Sequence, residues 1–113
     1  KMKGDVIIPA YNEEKHLEMT LQQLHCENWV NEIIVVDDGS KDSTREIAKR
    51  YAHELICHEI NKGKTEAVFA GLKKSKSDWI ILLDSPMVRN RTKRAMLQSL
   101  GVFDELFLNF LMI

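Results

Sequence analysis

The stretch Ile33-Ile34-Val35-Val36-Asp37-Asp38-Gly39-Ser40-Lys41-Asp42-Ser43-Thr44 decides how this chain folds. Its first four residues are β-branched and apolar, with no alternation. That is the pattern of a strand buried on both faces in a parallel sheet covered by helices. The run stops at two adjacent carboxylates, a glycine and a line of small polar residues. A solvated turn needs one acid, not two. In open α/β sheets ligands bind at the carboxyl ends of the strands, so Asp37 and Asp38 mark a candidate ligand site. The next helix is expected to start on Asp42 or Ser43, both good N-caps.

Strand and helix signals alternate on either side of this stretch. Asp5-Val6-Ile7-Ile8 is a short apolar run, and Pro9 is expected to end it. Asn12 is placed to cap a helix through Leu24, with Leu17, Leu21 and Leu24 on one face. Glu13 and Glu14 fall in its first turn, where the helix dipole favours anions. A second strand is expected over residues 32–36, and a second helix over 43–53 with Ile47 and Tyr51 on one face. Leu55-Ile56-Cys57 marks a weaker strand within 54–58, and Asn61-Lys62-Gly63-Lys64 makes a turn. A third helix over 65–74 is expected to bury Val68 and Leu72, with Ala67 and Gly71 as further candidates. Trp79-Ile80-Ile81-Leu82-Leu83-Asp84 is the fourth and most apolar strand.

Right-handed crossovers turn this βαβαβαβ pattern into a mostly parallel sheet with helices on both faces. The expected order is 3-2-1-4, with strands one and four side by side at the switch point. The polar ends of strands one, two and four then converge on one crevice. The chain has 113 residues, room for one domain. It divides into an alternating α/β part over 1–85 and a segment over 86–113 that breaks the alternation. That segment carries a basic cluster, Arg89, Arg91, Lys93 and Arg94, better read as a solvated helix face than as a phosphate contact. It ends in an apolar tract from Val102 to Ile113 that needs covering by core or by a partner, a second copy of the chain included.

Composition is ordinary for a soluble protein, with 44% apolar and 29% charged residues and a net charge of −1. Nothing points to a nucleic-acid face or a polybasic membrane patch. Cys26 and Cys57 match no zinc or redox spacing and read as small hydrophobes in a reducing compartment. No signal peptide is visible at Lys1-Met2-Lys3-Gly4, and the apolar tracts fall short of the ~20 residues that span a bilayer. The expected location is cytoplasmic, with the inner face of a membrane as a variant. His16, His25, His53 and His58 read as surface or satisfied core residues.

Four motifs stand in order: Ile7-Ile8-Pro9-Ala10-Tyr11-Asn12-Glu13-Glu14, Val35 to Thr44, Asn61-Lys62-Gly63-Lys64 and Leu82-Leu83-Asp84-Ser85. Over about residues 5–85 they closely resemble the family 2 glycosyltransferases, whose GT-A domain is a Rossmann-like α/β fold. The resemblance implies an enzyme that moves a sugar from a UDP- or GDP-sugar to an acceptor hydroxyl, the acceptor being a saccharide, a lipid or a small molecule. Pro9, Ala10, Tyr11, Asn12 and Glu13 match the segment that meets the base and ribose, with Tyr11 against the base. Asp38 matches the acid that accepts the base N–H, while Asp37 supports the loop. Gly63 and Lys64 match the turn near the donor, and Lys64 suits a phosphate contact as a point charge. That turn is not a Walker loop, because the GxxxxGK[ST] spacing is absent.

The match breaks at the fourth motif. The family carries Asp-x-Asp, whose acids contact ribose and hold a divalent cation that acts as a Lewis acid on the leaving diphosphate. Oxygen ligands imply Mg²⁺ or Mn²⁺. Here Asp84 and Ser85 fill the first two positions, and Pro86 stands at the third, where it cannot ligate through its side chain. Asp84 is left as the metal ligand the resemblance assigns. The family's acceptor half and catalytic base are also thin. Arg94 to Phe107 faintly resembles a late family segment, which leaves Asp104 as a weak base candidate, better suited to capping or pairing with an arginine. Either the chain is truly shortened, or an omitted stretch lies near Ser85-Pro86. The second is preferred, since such loops are mobile without donor.

The motifs admit three function classes. The first is the glycosyltransferase. The second is a catalytically incomplete nucleotide-binding homologue or fragment, told apart from the first by the third position of Asp-x-Asp and by metal-dependent nucleotide binding. The third is a flavodoxin-like receiver using Asp37 and Asp38. It is disfavoured because Cys57-His58 stands where the third strand should end in an aspartate.

Overall fold

The computed structural model describes residues 3–83. They form β1 (Gly4–Ala10), α1 (Leu17–His25), β2 (Val30–Asp37), α2 (Thr44–Tyr51), β3 (Glu54–Cys57), α3 (Lys64–Lys74) and β4 (Ile80–Leu82). The four strands make one sheet in the order β3-β2-β1-β4, with every pairing parallel. This is the expected alternation and strand order. The central pair explains the missing alternation: Val6, Ile7 and Ile8 of β1 and Ile33 to Val36 of β2 are all fully buried. Each such side chain contributes about 1.5–3 kcal/mol by leaving water.

Side chains alternate between the two faces of a strand. Val6 stands opposite Ile33 and Ile8 opposite Val35. These four gather with Leu17, Leu21 and Leu24 of α1 and Ala48 of α2 into one core, with Ile47 and Tyr51 packed partly buried against it. Ile7, Ile34 and Val36 point to the opposite face, where α3 packs on β1 and β2. The residues buried on α3 are Ala67 and Gly71, while Val68 and Leu72 are only half-buried. This corrects the expectation that the larger pair would carry the contact. The helix lies too close to the sheet for them: a Cβ on Gly71 would stand 2.5 Å from Cγ2 of Ile7.

Two differences from the expected boundaries bear on the site. Pro9 lies inside β1 rather than at its end. Along β1 the odd-numbered residues bond β4: the Asp5 N–H donates to the Trp79 carbonyl, and the Leu83 N–H donates to the Ile7 carbonyl. The even-numbered residues face β2, where the Asp38 N–H donates to the Ala10 carbonyl. Pro9 belongs to the β4-facing series, past the last β4 bond among the described residues, so its missing N–H removes none of the described sheet bonds. The second difference is the start of α1, which begins at Leu17. Asn12 does not cap it. Asn12 adopts φ 51°, a left-handed conformation that Asn tolerates. Glu13 and Glu14 sit in a turn ahead of the helix, where the Glu13 carbonyl accepts the N–H groups of His16 and Leu17.

Candidate functional site

Asp37 and Asp38 are neighbours in the chain but face opposite sides of the sheet. Asp37 points toward α2. Its Oδ1 accepts the Ser40 N–H at 3.2 Å, and its Oδ2 accepts Nε–H of Arg45 at 2.8 Å. Nη2 of Arg45 also donates to the His58 carbonyl at 3.3 Å. Asp37 therefore supports the loop and ties α2 to the end of β3.

Asp38 points to the α3 side. Its Oδ1 accepts the Lys62 N–H and meets Nδ1 of His58, each at 2.9 Å, and its Oδ2 accepts the Gly63 N–H at 2.9 Å. Burial pushes the Asp38 carboxyl up, but the Lys62 N–H, the His58 ring and the Gly63 N–H outweigh it and hold the group below the usual carboxylate value. An ionised carboxylate is acceptor-only and offers about four lone-pair positions. Three are used, which leaves capacity on Oδ2. Gly39 permits this close docking of two loops. It has φ 82°, and a Cβ there would stand 2.7 Å from the Asn61 nitrogen.

The loops after β1 and β2 are zipped together by side chain to backbone bonds. The Asn12 N–H donates to Oγ of Ser40 at 2.9 Å, and the Lys41 N–H donates to Oδ1 of Asn12 at 2.9 Å. The Glu13 N–H donates to Oγ1 of Thr44 at 2.8 Å, and the Ser43 N–H donates to Oε2 of Glu14 at 3.1 Å. Asp42 accepts the N–H and hydroxyl of Thr44 at the start of α2, and the N–H of Glu14. Burial pushes its carboxyl up, and the Thr44 hydroxyl, the Thr44 N–H and the Glu14 N–H bring it below the usual value. The cap of α2 thus comes from Asp42, one of the two expected residues, and not from a Ser43 side-chain bond.

These loops and the first turn of α3 enclose an open cleft of about 290 Å³, lined by Pro9, Ala10, Tyr11, Glu13, Asp38, Asn61, Gly63, Lys64 and Ala67. Seven residues singled out from the sequence therefore meet in one place: Pro9, Ala10, Tyr11, Glu13, Asp38, Gly63 and Lys64. Tyr11 is 46% exposed at its edge. Asn12 does not line the cleft, because its side chain is spent on the Lys41 N–H. Asp84, Ser85 and Asp104 lie outside the described residues. Asn61 opens the third motif but is assigned no contact from the sequence, Ala67 carries no site signal there, and His58 reads there as a surface or core residue. The signal for His58 is its place directly after β3 (Glu54–Cys57), at the carboxyl end of a strand beside Asp38.

Among the described residues no three His, Cys, Asp or Glu side chains are grouped to hold a metal ion. The reason is visible at the acids themselves. Asp37 is taken up by Arg45 and Ser40, and Asp38 and Asp42 by N–H and O–H donors. The described cleft does not by itself fit a divalent cation, so one would depend on Asp84 and the residues after it.

A strand-end cleft in a parallel sheet of order 3-2-1-4 defines a Rossmann-like ligand-binding fold. The family model that matches it is Glycosyl transferase family 2, over residues 5–85. The chain belongs to that family. It is 41% identical over 87 residues to UDP-N-acetylglucosamine–dolichyl-phosphate N-acetylglucosaminyltransferase of Methanococcus voltae, which covers 62% of this chain and 34% of that protein. Among solved structures it is similar to glucosyl-3-phosphoglycerate synthase of Mycobacterium tuberculosis, in complex with Mn²⁺, UDP-glucose and phosphoglyceric acid. That match has a TM-score of 0.66 at 28% identity, and covers 74% of this chain and 33% of that one. A further stretch of 45 residues is 60% identical to a protein of Acholeplasma laidlawii named ATP synthase subunit delta, covering 40% of this chain and 26% of that one. That stretch is too short to span the cleft, whose lining runs from Pro9 to Ala67. The chain covers only 26% to 38% of the length of such relatives.

Proposed function

We propose that this chain is the nucleotide-sugar-binding part of a glycosyltransferase that moves a sugar from a UDP- or GDP-sugar to an acceptor. The observation that carries the reading is the cleft. It joins an ionised Asp38, an aromatic edge at Tyr11 and the first turn of α3 with Lys64, at the strand ends where such folds bind ligands. Oδ2 of Asp38 suits a base that presents a ring N–H. Tyr11 offers a face for the base to stack on. The N-terminal turn of α3 favours the negative charge of a diphosphate, and Lys64 adds a cation beside it.

A divalent cation, Mg²⁺ or Mn²⁺, would act as a Lewis acid on the diphosphate, and the Mn²⁺ in the M. tuberculosis complex supports it. Asp84 is the proposed ligand in this chain, with Ser85 beside it. The acceptor is proposed to be a lipid-linked phosphate, since the M. voltae relative is named for dolichyl phosphate. Such an acceptor would put the reaction at a membrane surface, with the inner face as the proposed side. No helix among the described residues is long and apolar enough to cross one.

The test is calorimetric titration of the full chain with UDP, GDP, CDP and ADP, with and without Mn²⁺. The expected result is binding of UDP or GDP, strengthened by Mn²⁺, with CDP and ADP weaker. Equal binding of all four overturns the base-reading role of Asp38. Binding that ignores metal, with no donor hydrolysis, leaves the chain a nucleotide-binding module and not an enzyme.

A further inference from the structure

We infer that His58 is a positioning residue for Asp38: its ring dedicates one carboxylate oxygen to the protein and leaves the other to the ligand, so that the site selects bases with a ring N–H. The inference rests on the nucleotide site proposed above and names what gives that site its selectivity. His58 follows directly on β3, and its backbone N–H donates to the Asp37 carbonyl at 2.9 Å, so the strand ladder fixes its place. Its side chain is 10% exposed and that of Asp38 is 5% exposed, so water competes poorly for their contact. Nδ1 lies 2.9 Å from Oδ1. Asp38 is ionised and has only lone pairs to offer, so Nδ1 carries the hydrogen and donates.

The Lys62 N–H shares Oδ1, which is thereby filled, while Oδ2 holds only the Gly63 N–H. Without the ring, Oδ1 gains an open lone pair and the carboxylate can turn about its last bond. A dedicated acceptor discriminates strongly. Uracil and guanine present a ring N–H to it. Cytosine and adenine present a ring-nitrogen lone pair, which a fixed carboxylate repels. Sites built to pair a donor reject analogues that lack it because their own buried group is then left unpaired.

The experiment measures the affinity of the full chain for UDP, CDP, GDP and ADP in wild type, H58A, H58N and H58Q. Asparagine places an amide donor near the position of Nδ1, whereas glutamine places it near Nε2. H58A and H58Q are expected to lose about fivefold to tenfold of the preference for UDP over CDP or GDP over ADP, as for one lost hydrogen bond. H58N is expected to keep that preference within about twofold. The loss is confined to UDP and GDP. If wild type discriminates but H58A and H58Q weaken all nucleotides alike, or none, His58 is merely structural and the inference falls while the base-reading site stands. If wild type does not discriminate, that site itself is wrong and the inference falls with it. Should H58A not fold, the H58N and H58Q pair decides the same question.

Discussion

The face of the sheet under α1 and α2 and the face under α3 bury the same two central strands with different residues. On the first face Leu17, Leu21, Leu24 and Ala48 fill the space over Val6, Ile8, Ile33 and Val35. On the second, Ala67 and Gly71 bring α3 close to Ile7. The first arrangement maximises buried apolar area. The second gives up side-chain volume for a short distance, and that distance sets the α3 N-terminus beside the end of β2. Asp37 and Asp38 repeat the contrast in miniature, one clamping Arg45 on the first face, the other reaching Lys62, Gly63 and His58 on the second.

Breaking the two faces separately should give different failures. Leu21→Ala on the first face should lose about 3 kcal/mol of stability, as for a buried leucine that leaves a cavity, while nucleotide selectivity survives in the folded fraction. Urea unfolding and nucleotide titration check both halves. Asp38→Ala should barely alter the first face. It should weaken UDP and GDP by roughly tenfold to a hundredfold, the range for a bond to a charged group, and should not weaken CDP and ADP, whose ring-nitrogen lone pair the carboxylate repels in wild type. Gly71→Ala should cost about 1–3 kcal/mol by overpacking against Ile7, and it should also weaken nucleotide binding, because α3 must move away from the cleft. A Gly71→Ala protein with wild-type binding would show that the close approach does not shape the site.

Two smaller effects sharpen the contrast. Asp38 titrates in the fold below its ordinary value of 3.8. A lowered carboxylate contributes stability that is complete above about pH 4 and is lost as pH falls through the folded value. Urea midpoints of wild type should therefore drop more steeply as pH falls below about 4 than those of Asp38→Asn, which has no proton to gain at that position. Tyr11→Ala should cost about 1 kcal/mol of nucleotide affinity through lost stacking, with melting temperature unchanged, since the ring is half exposed. An unchanged nucleotide affinity would remove Tyr11 from the site.

The strands, the buried stripe of α1 and the crevice were legible because each signal was local, whereas the strand order came from the doubly wound pattern and most of the lining from the motif resemblance. Unalternated Ile and Val announced the central strands, the leucine spacing announced the buried stripe of α1, and acids at a strand end announced the cleft. Asn12 departs from the expected cap because its residue type suits both an N-cap and a left-handed turn, and the sequence holds no mark of the choice. Ser40 and Lys41, far along the chain, decided it by offering an acceptor and a donor. Val68 and Leu72 depart from expectation for a similar reason. Hydrophobicity ranks residues by their gain on burial, but the distance between helix and sheet decides which of them fits, and that distance depends on Ile7 across the interface.

By itself the sequence determined the alternation of strands and helices that makes a parallel sheet and the chemical character of the cleft, since these follow from periodicity and from which residue types end each strand; the expected strand order came from the doubly wound pattern of such folds. Only the tertiary structure decided that two adjacent aspartates serve opposite faces and that His58 stands against one of them. The backbone alternation sends neighbouring side chains apart. Residues far apart in sequence meet only through the pairing of β2 with β3, and such long-range partners leave no pattern in a single chain.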